Sequence, residues 1–201
     1  MDTARVDLLT RYPVPRHRLT RSDYHRMGEA GILGENDRVE LLDGQLVDMS
    51  PIGPRHALVI DALNELLVTA FAGRARVRVQ NPVVLDDGSE PQPDLALLRW
   101  PWRGHPQSHP EPDGIFLLIE VSDSSLNFDR RVKLPLYARA GVREVWIRSL
   151  SWNESRPGLG GAHPEHPATR YADMPQLSAG PAICMRLRIQ SAANGRRANG
   201  G

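Results

Sequence analysis

Residues 114–123 read GIFLLIEVSD. Five apolar side chains in a row precede Glu120, and a run this short and this apolar reads as a strand buried on both faces. A carboxylate at the end of such a strand is expensive unless it is paired, hydrogen-bonded or bound to a cation. The stretch therefore fixes two things at once. It predicts the centre of a sheet, and it places an acid where an acid needs a reason.

Outward from that strand, PDLALLR (93–99) is a second short apolar run, opened by Asp94 after a proline. REVWIRSL (143–150) is a third. Between them, FDRRVKLPLYARAG (128–141) has a helical pattern with Gly141 as C-cap candidate. Pro135 fits there at little cost if the helix starts near Asp129 or Phe128. Upstream, RVRVQNPVVLDD (76–87) alternates with period two and breaks at Asn81-Pro82. SPIGPRHALVIDALNELLVTAF (50–71) is the clearest helix, with Leu58, Leu63, Leu66, Leu67 and Ala70 at helical spacing. RVELLDGQLVDM (38–49) holds Asp43-Gly44 between two apolar runs, a strong hairpin signal. In LTRSDYHRMGEAGIL (19–33), Thr20 or Ser22 is the N-cap candidate, and Tyr24, Met27 and Ile32 predict a core-facing stripe.

The predicted order is α, ββ, α, ββ, β, β, α, β, an α/β chain with a mixed sheet and helices on its faces. Residues 1–18 read as an irregular arm, 19–190 as one domain, and 191–201 as a disordered tail. The texture changes after Leu150, where SWNESRPGLGGAHPEHPAT is rich in Gly, Pro and Ser and reads as loop or disorder. ICMRLRIQ (183–190) reads as a last strand.

Bulk composition narrows the function. The chain has 201 residues, 40% hydrophobic and 24% charged, which suits one soluble domain. Net charge is +1, so nucleic-acid binding needs a local cluster of arginines. A single cysteine, Cys184, excludes an internal disulfide and reads as a small apolar strand residue. No apolar run approaches a membrane span, and the N-terminus lacks a signal-peptide core, so a cytoplasmic protein is the expectation.

Of the 25 basic side chains one is a lysine, Lys133, and the rest are arginine. Lysine is a compact charge whose pKa shifts when buried, whereas arginine stays charged and is bulkier. Glu40, Asp94 and Glu120 emerge from the most buried runs. Two or three carboxylates with water make a hard oxygen site suited to Mg²⁺, and a nearby lysine can stabilise charge on a phosphate or orient water. The competing reading is a helix-surface ion pair between Asp129 and Lys133, four residues apart.

Other basic groups suggest phosphate contacts. Arg55 and His56 stand at a helix start, where anions bind. Arg74, Arg76 and Arg78 alternate along one strand, as a basic stripe or as a solvated edge that blocks aggregation. Trp100 and Trp102 flank a proline and read as packing over a sheet end or as wedges against bases. The pairs His105 and His109, and His163 and His166, lack a suitably spaced acid or cysteine for zinc.

Three blocks together resemble the Uma2 family of the PD-(D/E)XK nuclease superfamily: RVELLDGQLVDMSPIGPRH, QNPVVLDDGSEPQPDLALLR and LLIEVSDSSLNFDRRVKLPLYARAGVREVWI. The resemblance runs from about Leu19 to Ile147. It implies a restriction-endonuclease-like fold and a Mg²⁺-dependent endonuclease acting on phosphodiester bonds, with Mn²⁺ able to substitute and DNA as partner. It implies Asp94 and Glu120 as metal ligands, the carbonyl of Val121 as a third, and Glu40 as an assisting acid. Gln92 and Ser122 would line the pocket. The superfamily motif expects a lysine where this chain has Ser122, and the family pattern moves that role to Lys133. Such enzymes commonly act as homodimers. The alternative is a catalytically silent nuclease fold used as a nucleic-acid-binding or protein-interaction module. The chain departs from the family pattern in RWPWRGHPQSHPEPDG and after Arg148.

Overall fold

The computed structural model describes residues 15–34, 36–101 and 108–150, and the backbone of 184–188. The predicted loop 151–169, the tail 191–201, most of the arm, Trp102, His105, His163 and His166 lie outside the described residues.

The expected central strand is β5, Ile115–Ser122, the longest in the sheet. The other strands of that sheet are β3 (Ala75–Val79), β4 (Leu95–Arg99), β6 (Glu144–Ser149) and β7 (Cys184–Arg188). Their order is β3-β4-β5-β6-β7. Only β5 and β6 run parallel; the other pairs are antiparallel, so the sheet is mixed, as the sequence predicts. The helical run between β5 and β6 makes the crossover that a parallel pair requires.

Alternation along β5 divides the core. Leu117, Ile119 and Val121 pack with Leu95 and Leu97 of β4 beneath Ile60 and Leu67 of α2 (Pro54–Ala70). Ile115 and Leu118 pack with Ala96, Leu98 and Ile147 against Leu136 and Tyr137 on the opposite face. Each fully buried Leu or Ile contributes roughly 1.5–3 kcal/mol. β5 is therefore pinned from both sides, and Glu120 is carried into the interior with it.

A separate hairpin, β1 (Val39–Leu42) and β2 (Gln45–Asp48), turns on Asp43 and Gly44, with φ 49 and 76. Both turn residues have the positive φ that a two-residue hairpin needs. Leu42 packs into the second core cluster, and Glu90 N–H donates to Leu41 carbonyl at 2.8 Å, so the hairpin is tied to the domain.

Four expectations need correction. Helix α1 (Arg21–Glu29) has the Thr20 cap, in a capping box with Asp23, but no buried residue. Ile32 lies beyond it and is 65% exposed, while Tyr24 spends its hydroxyl on Val39 carbonyl. In α2 the core stripe is Ile60, Leu63 and Leu67; Leu58 is 70% exposed and Ala70 is also outside, because α2 is apolar on more than one side. The alternation of 76–87 gives one strand, not two. Gln80 has φ 48 and Pro82 has no N–H to donate, so pairing stops at Val79. The last helix starts at Leu126, earlier than expected. It runs α3 (Leu126–Phe128), a π-turn Asp129–Lys133, then α4 (Leu134–Arg139). Leu134 N–H bonds back to Asp129 carbonyl, and after this widened turn Pro135 falls in the first turn of α4, where its missing N–H costs little. No helix among the described residues is long and apolar enough to cross a membrane.

Gly44 is the tightest point of the hairpin. A Cβ there would stand 2.6 Å from Arg18 Cβ, at a φ that side chains avoid. Gly44→Ala is expected to destabilise the protein by ~1–3 kcal/mol. Urea unfolding measures this, and an unchanged midpoint would refute the role given to the turn.

Candidate active site

The site grows from the ends of β4 and β5. In their register Leu95 faces Ile119, so the next step brings Asp94 opposite Glu120. Pro91 and Pro93 are fully buried and hold the approach to Asp94 extended. Asp94 Oδ2 accepts from Val121 N–H at 2.7 Å and contacts His56 Nε2 at 3.1 Å; Oδ1 accepts from Gln80 Nε2 at 3.4 Å. From the hairpin, Glu40 accepts the Gln92 N–H at 3.1 Å. The extended segment 90–94 thus fastens both the hairpin acid and the β4 acid.

Lys133 closes the arrangement from the π-turn. Its Nζ lies 3.1 Å from Glu40 Oε2 and 3.4 Å from Glu120 Oε1, with the side chain 7% exposed. Tyr137, one turn on and fully buried, donates its hydroxyl to Glu120. Asp129, one turn back and buried, accepts from Ser122 and Ser125 hydroxyls at 2.6 and 2.7 Å. The surface Asp129–Lys133 pair is therefore excluded: both side chains face the domain, and each has other partners.

Burial sets the electrostatics. It pushes the Glu120 carboxyl up to about 8; Asp94 and Asp129 add to this, while Lys133 and the Tyr137 hydroxyl oppose it. Burial alone would lower the Lys133 ammonium, but the carboxylates of Glu120 and Glu40 outweigh it and hold the amine above its ordinary range. Tyr137 is likewise raised, first by burial and then by Glu120. The interior therefore holds a charged lysine beside a carboxyl that burial makes slower than usual to give up its proton.

These groups line one cleft of about 260 Å³. It opens between the hairpin, the start of α2 and the turn after β5. Glu40, Asp94, Glu120, Val121, Lys133, Gln92 and His56 all reach it, as do Gln80, Ser125 and Asp129. Ser122 does not line it; it is buried beneath, bonded to Asp129. The remaining predicted residues are elsewhere. Arg55 donates to Leu150 carbonyl, Arg74 precedes β3 and stacks on Phe71, and Arg76 and Arg78 lie along β3. His56 belongs to the cleft through Asp94 rather than to a solvated helix start. Sequence reasoning missed Tyr137 and Gln80 as site residues. Tyr137 had a signal, since it follows Lys133 by four residues on the same helix face.

Two carboxylates and a strand-end carbonyl are hard oxygen donors, and Mg²⁺ is usually held by one or two carboxylates plus water and substrate. The donor set at Asp94 and Glu120 fits that ion. It does not form a protein cage, because among the described residues no three His, Cys, Asp or Glu side chains gather as ligands.

The raised Glu120 makes a pH prediction for the protein in chelator. The native state keeps a proton that the unfolded chain releases above its ordinary value of 4.5, until about pH 8. Stability from this group is full below that ordinary value and is lost as pH rises through the folded one. Glu120→Gln removes the titration. The variant is expected to gain on the parent as pH rises towards 8, in thermal melts across that window. Parallel pH curves for the two proteins would sink this account.

The chain is similar in fold to a solved structure titled a "putative nuclease belonging to DUF820" from Anabaena variabilis ATCC 29413. The TM-score is 0.50 at 14% identity, covering 65% of this chain and 74% of that one. No curated protein matches. Residues 21–175, most of the chain, match the family Uma2, described as "Putative restriction endonuclease". With the mixed sheet and the acid-lined cleft in place, that match makes the chain a member of the Uma2 family.

Proposed function

We propose that this protein is a Mg²⁺-dependent endonuclease that hydrolyses phosphodiester bonds in DNA. One observation carries the reading: Glu40, Asp94, Glu120 and the lone lysine converge on a single cleft from four different elements. The family description and the nuclease title of the structural neighbour point the same way.

Asp94 and Glu120, with the Val121 carbonyl, would hold the ion. When bound, Mg²⁺ supplies polarisation of a phosphoryl oxygen and a lowered pKa for an attacking water. The chain's own residues do the rest. Lys133 offers a fixed ammonium to the charge that grows on the attacked phosphate, and its burial spares it the reorganisation a surface lysine would need. Glu40 holds the Lys133 amine in place at 3.1 Å. Tyr137 holds Glu120, and His56, Gln80 and Val121 N–H hold Asp94, so neither carboxylate is free to rotate.

A second reading has one observation in its favour. The Lys133 ammonium lies against Glu120, one of the two carboxylates needed for metal. A catalytically silent fold that binds nucleic acid would keep this pair closed at all metal concentrations. Calorimetry with Mn²⁺ separates the readings, because only the enzyme binds metal, and only with Asp94 present.

The direct test is nicking of supercoiled plasmid with Mg²⁺ or Mn²⁺. Lys133→Met and Asp94→Asn are expected to lose activity on the order of a hundredfold or more, the scale of removing one preorganised stabilising group. Lys133→Arg should be nearly as poor, because a guanidinium does not fit the two-carboxylate seat. Undiminished nicking by purified Lys133→Met would overturn the assignment.

A further inference from the structure

A second hollow, of about 660 Å³, runs along the free edge of the sheet at β3. Among the described residues its polar lining is Arg76, Arg78, Asn81, Arg99, Ser108 and His109, with no aspartate or glutamate. Among the described residues, none of the three arginines is in an ion pair. Neutral groups hold them instead. Arg76 sits 4.8 Å above the Trp100 ring and Arg99 5.2 Å above Phe116. Arg78 donates to Asn81 Oδ1 at 3.3 Å, and Arg99 to Asp113 carbonyl at 3.4 Å. His109 leans the other way, 3.9 Å from buried Glu90. Arg76 and Arg78, held by neutral groups and with no acidic partner among the described residues, form a site that an anion would relieve.

The shape selects the kind of anion. Arg76 and Arg78 are two residues apart on one strand face, about 7 Å along it, so they address successive charges rather than one. One segment of chain borders both the hollow and the cleft. Val79 and Asn81 line the hollow, while Gln80, between them, lines the cleft and reaches Asp94. Gln80 has φ 48, a conformation rare for a residue with a side chain.

We propose that this hollow is the track along which a nucleic acid backbone enters the cleft, with Arg76 and Arg78 taking the phosphates that flank the scissile one. The proposal takes its partner from the nuclease reading, and its test is a binding measurement that needs no cleavage.

A short fluorescein-labelled DNA duplex is titrated with the protein in chelator, by anisotropy, between about 50 and 200 mM salt. Arg76→Gln/Arg78→Gln is expected to weaken binding on the order of tenfold per arginine and to lower the salt slope by about two, at roughly 0.9 per phosphate contact. Arg76→Lys/Arg78→Lys should restore most of the slope, and Arg26→Gln, far along α1 and paired with Asp23, should leave it unchanged. Thermal melts check that the variants fold. An unaltered slope in the glutamine variant, or no duplex binding by the parent, overturns the track. If instead the parent binds as described but never nicks plasmid with Mn²⁺, the nuclease reading fails and the track stands.

Discussion

One ammonium buried against two carboxylates is the contact on which the arrangement turns. Lys133 links the hairpin through Glu40 to the central strand through Glu120. Taking such charges out of water costs several kcal/mol per ion, and well-packed apolar groups in their place are often as stable or more so. Core stability alone thus gives no reason to bury Glu40, Glu120, Asp129 and Lys133 in one small volume. A site that must present fixed charges to a reacting group does give one, because fixed groups need no rearrangement when charge develops.

The helix that delivers the lysine is shaped for the task. Ser122 ends β5 and bonds Asp129, which starts the π-turn. The serine anchors the helix, and the helix returns Lys133 to Glu40 and Glu120. The widened turn keeps Asp129, Lys133 and Tyr137 all facing inward, and each of the three makes a polar contact within the domain. In a chain otherwise rich in arginine, the compact amine is what fits between two acids approaching from different elements.

Much of this was legible in the residues. Glu120 announced itself as an acid in an apolar strand, Asp43-Gly44 specified a hairpin, and the uniqueness of Lys133 drew attention to its helix. The illegible parts depend on partners distant in sequence. His56 looks like any basic residue at a helix start until β4 places Asp94 against it. Tyr137 has the size and neighbours of a core aromatic, and only its hydroxyl marks it as part of the site. Leu58 misled because α2 is apolar on more than one side, so spacing alone could not choose the buried stripe. The period-two pattern of 76–87 misled because the backbone reversal at Gln80 leaves side-chain alternation visible after pairing has ended.

Charge distribution ties the cleft to its surroundings. The chain as a whole carries only +1, so it exerts little long-range pull on a polyanion. The cleft is worse than neutral for a phosphate: Glu40, Asp48, Asp94, Glu120, Asp123 and Asp129 line it, against Arg38 and Lys133. A phosphodiester entering that cleft alone meets repulsion at close range. On the proposed reading, two things would change the balance, a divalent cation on the carboxylates and the arginines along β3. The acids would then select for substrate together with metal, and those arginines would supply the attraction that the net charge does not. The same arginines stand on an exposed sheet edge, where charge also discourages pairing with another strand. An edge that must stay unpaired is a natural place for a polyanion to lie.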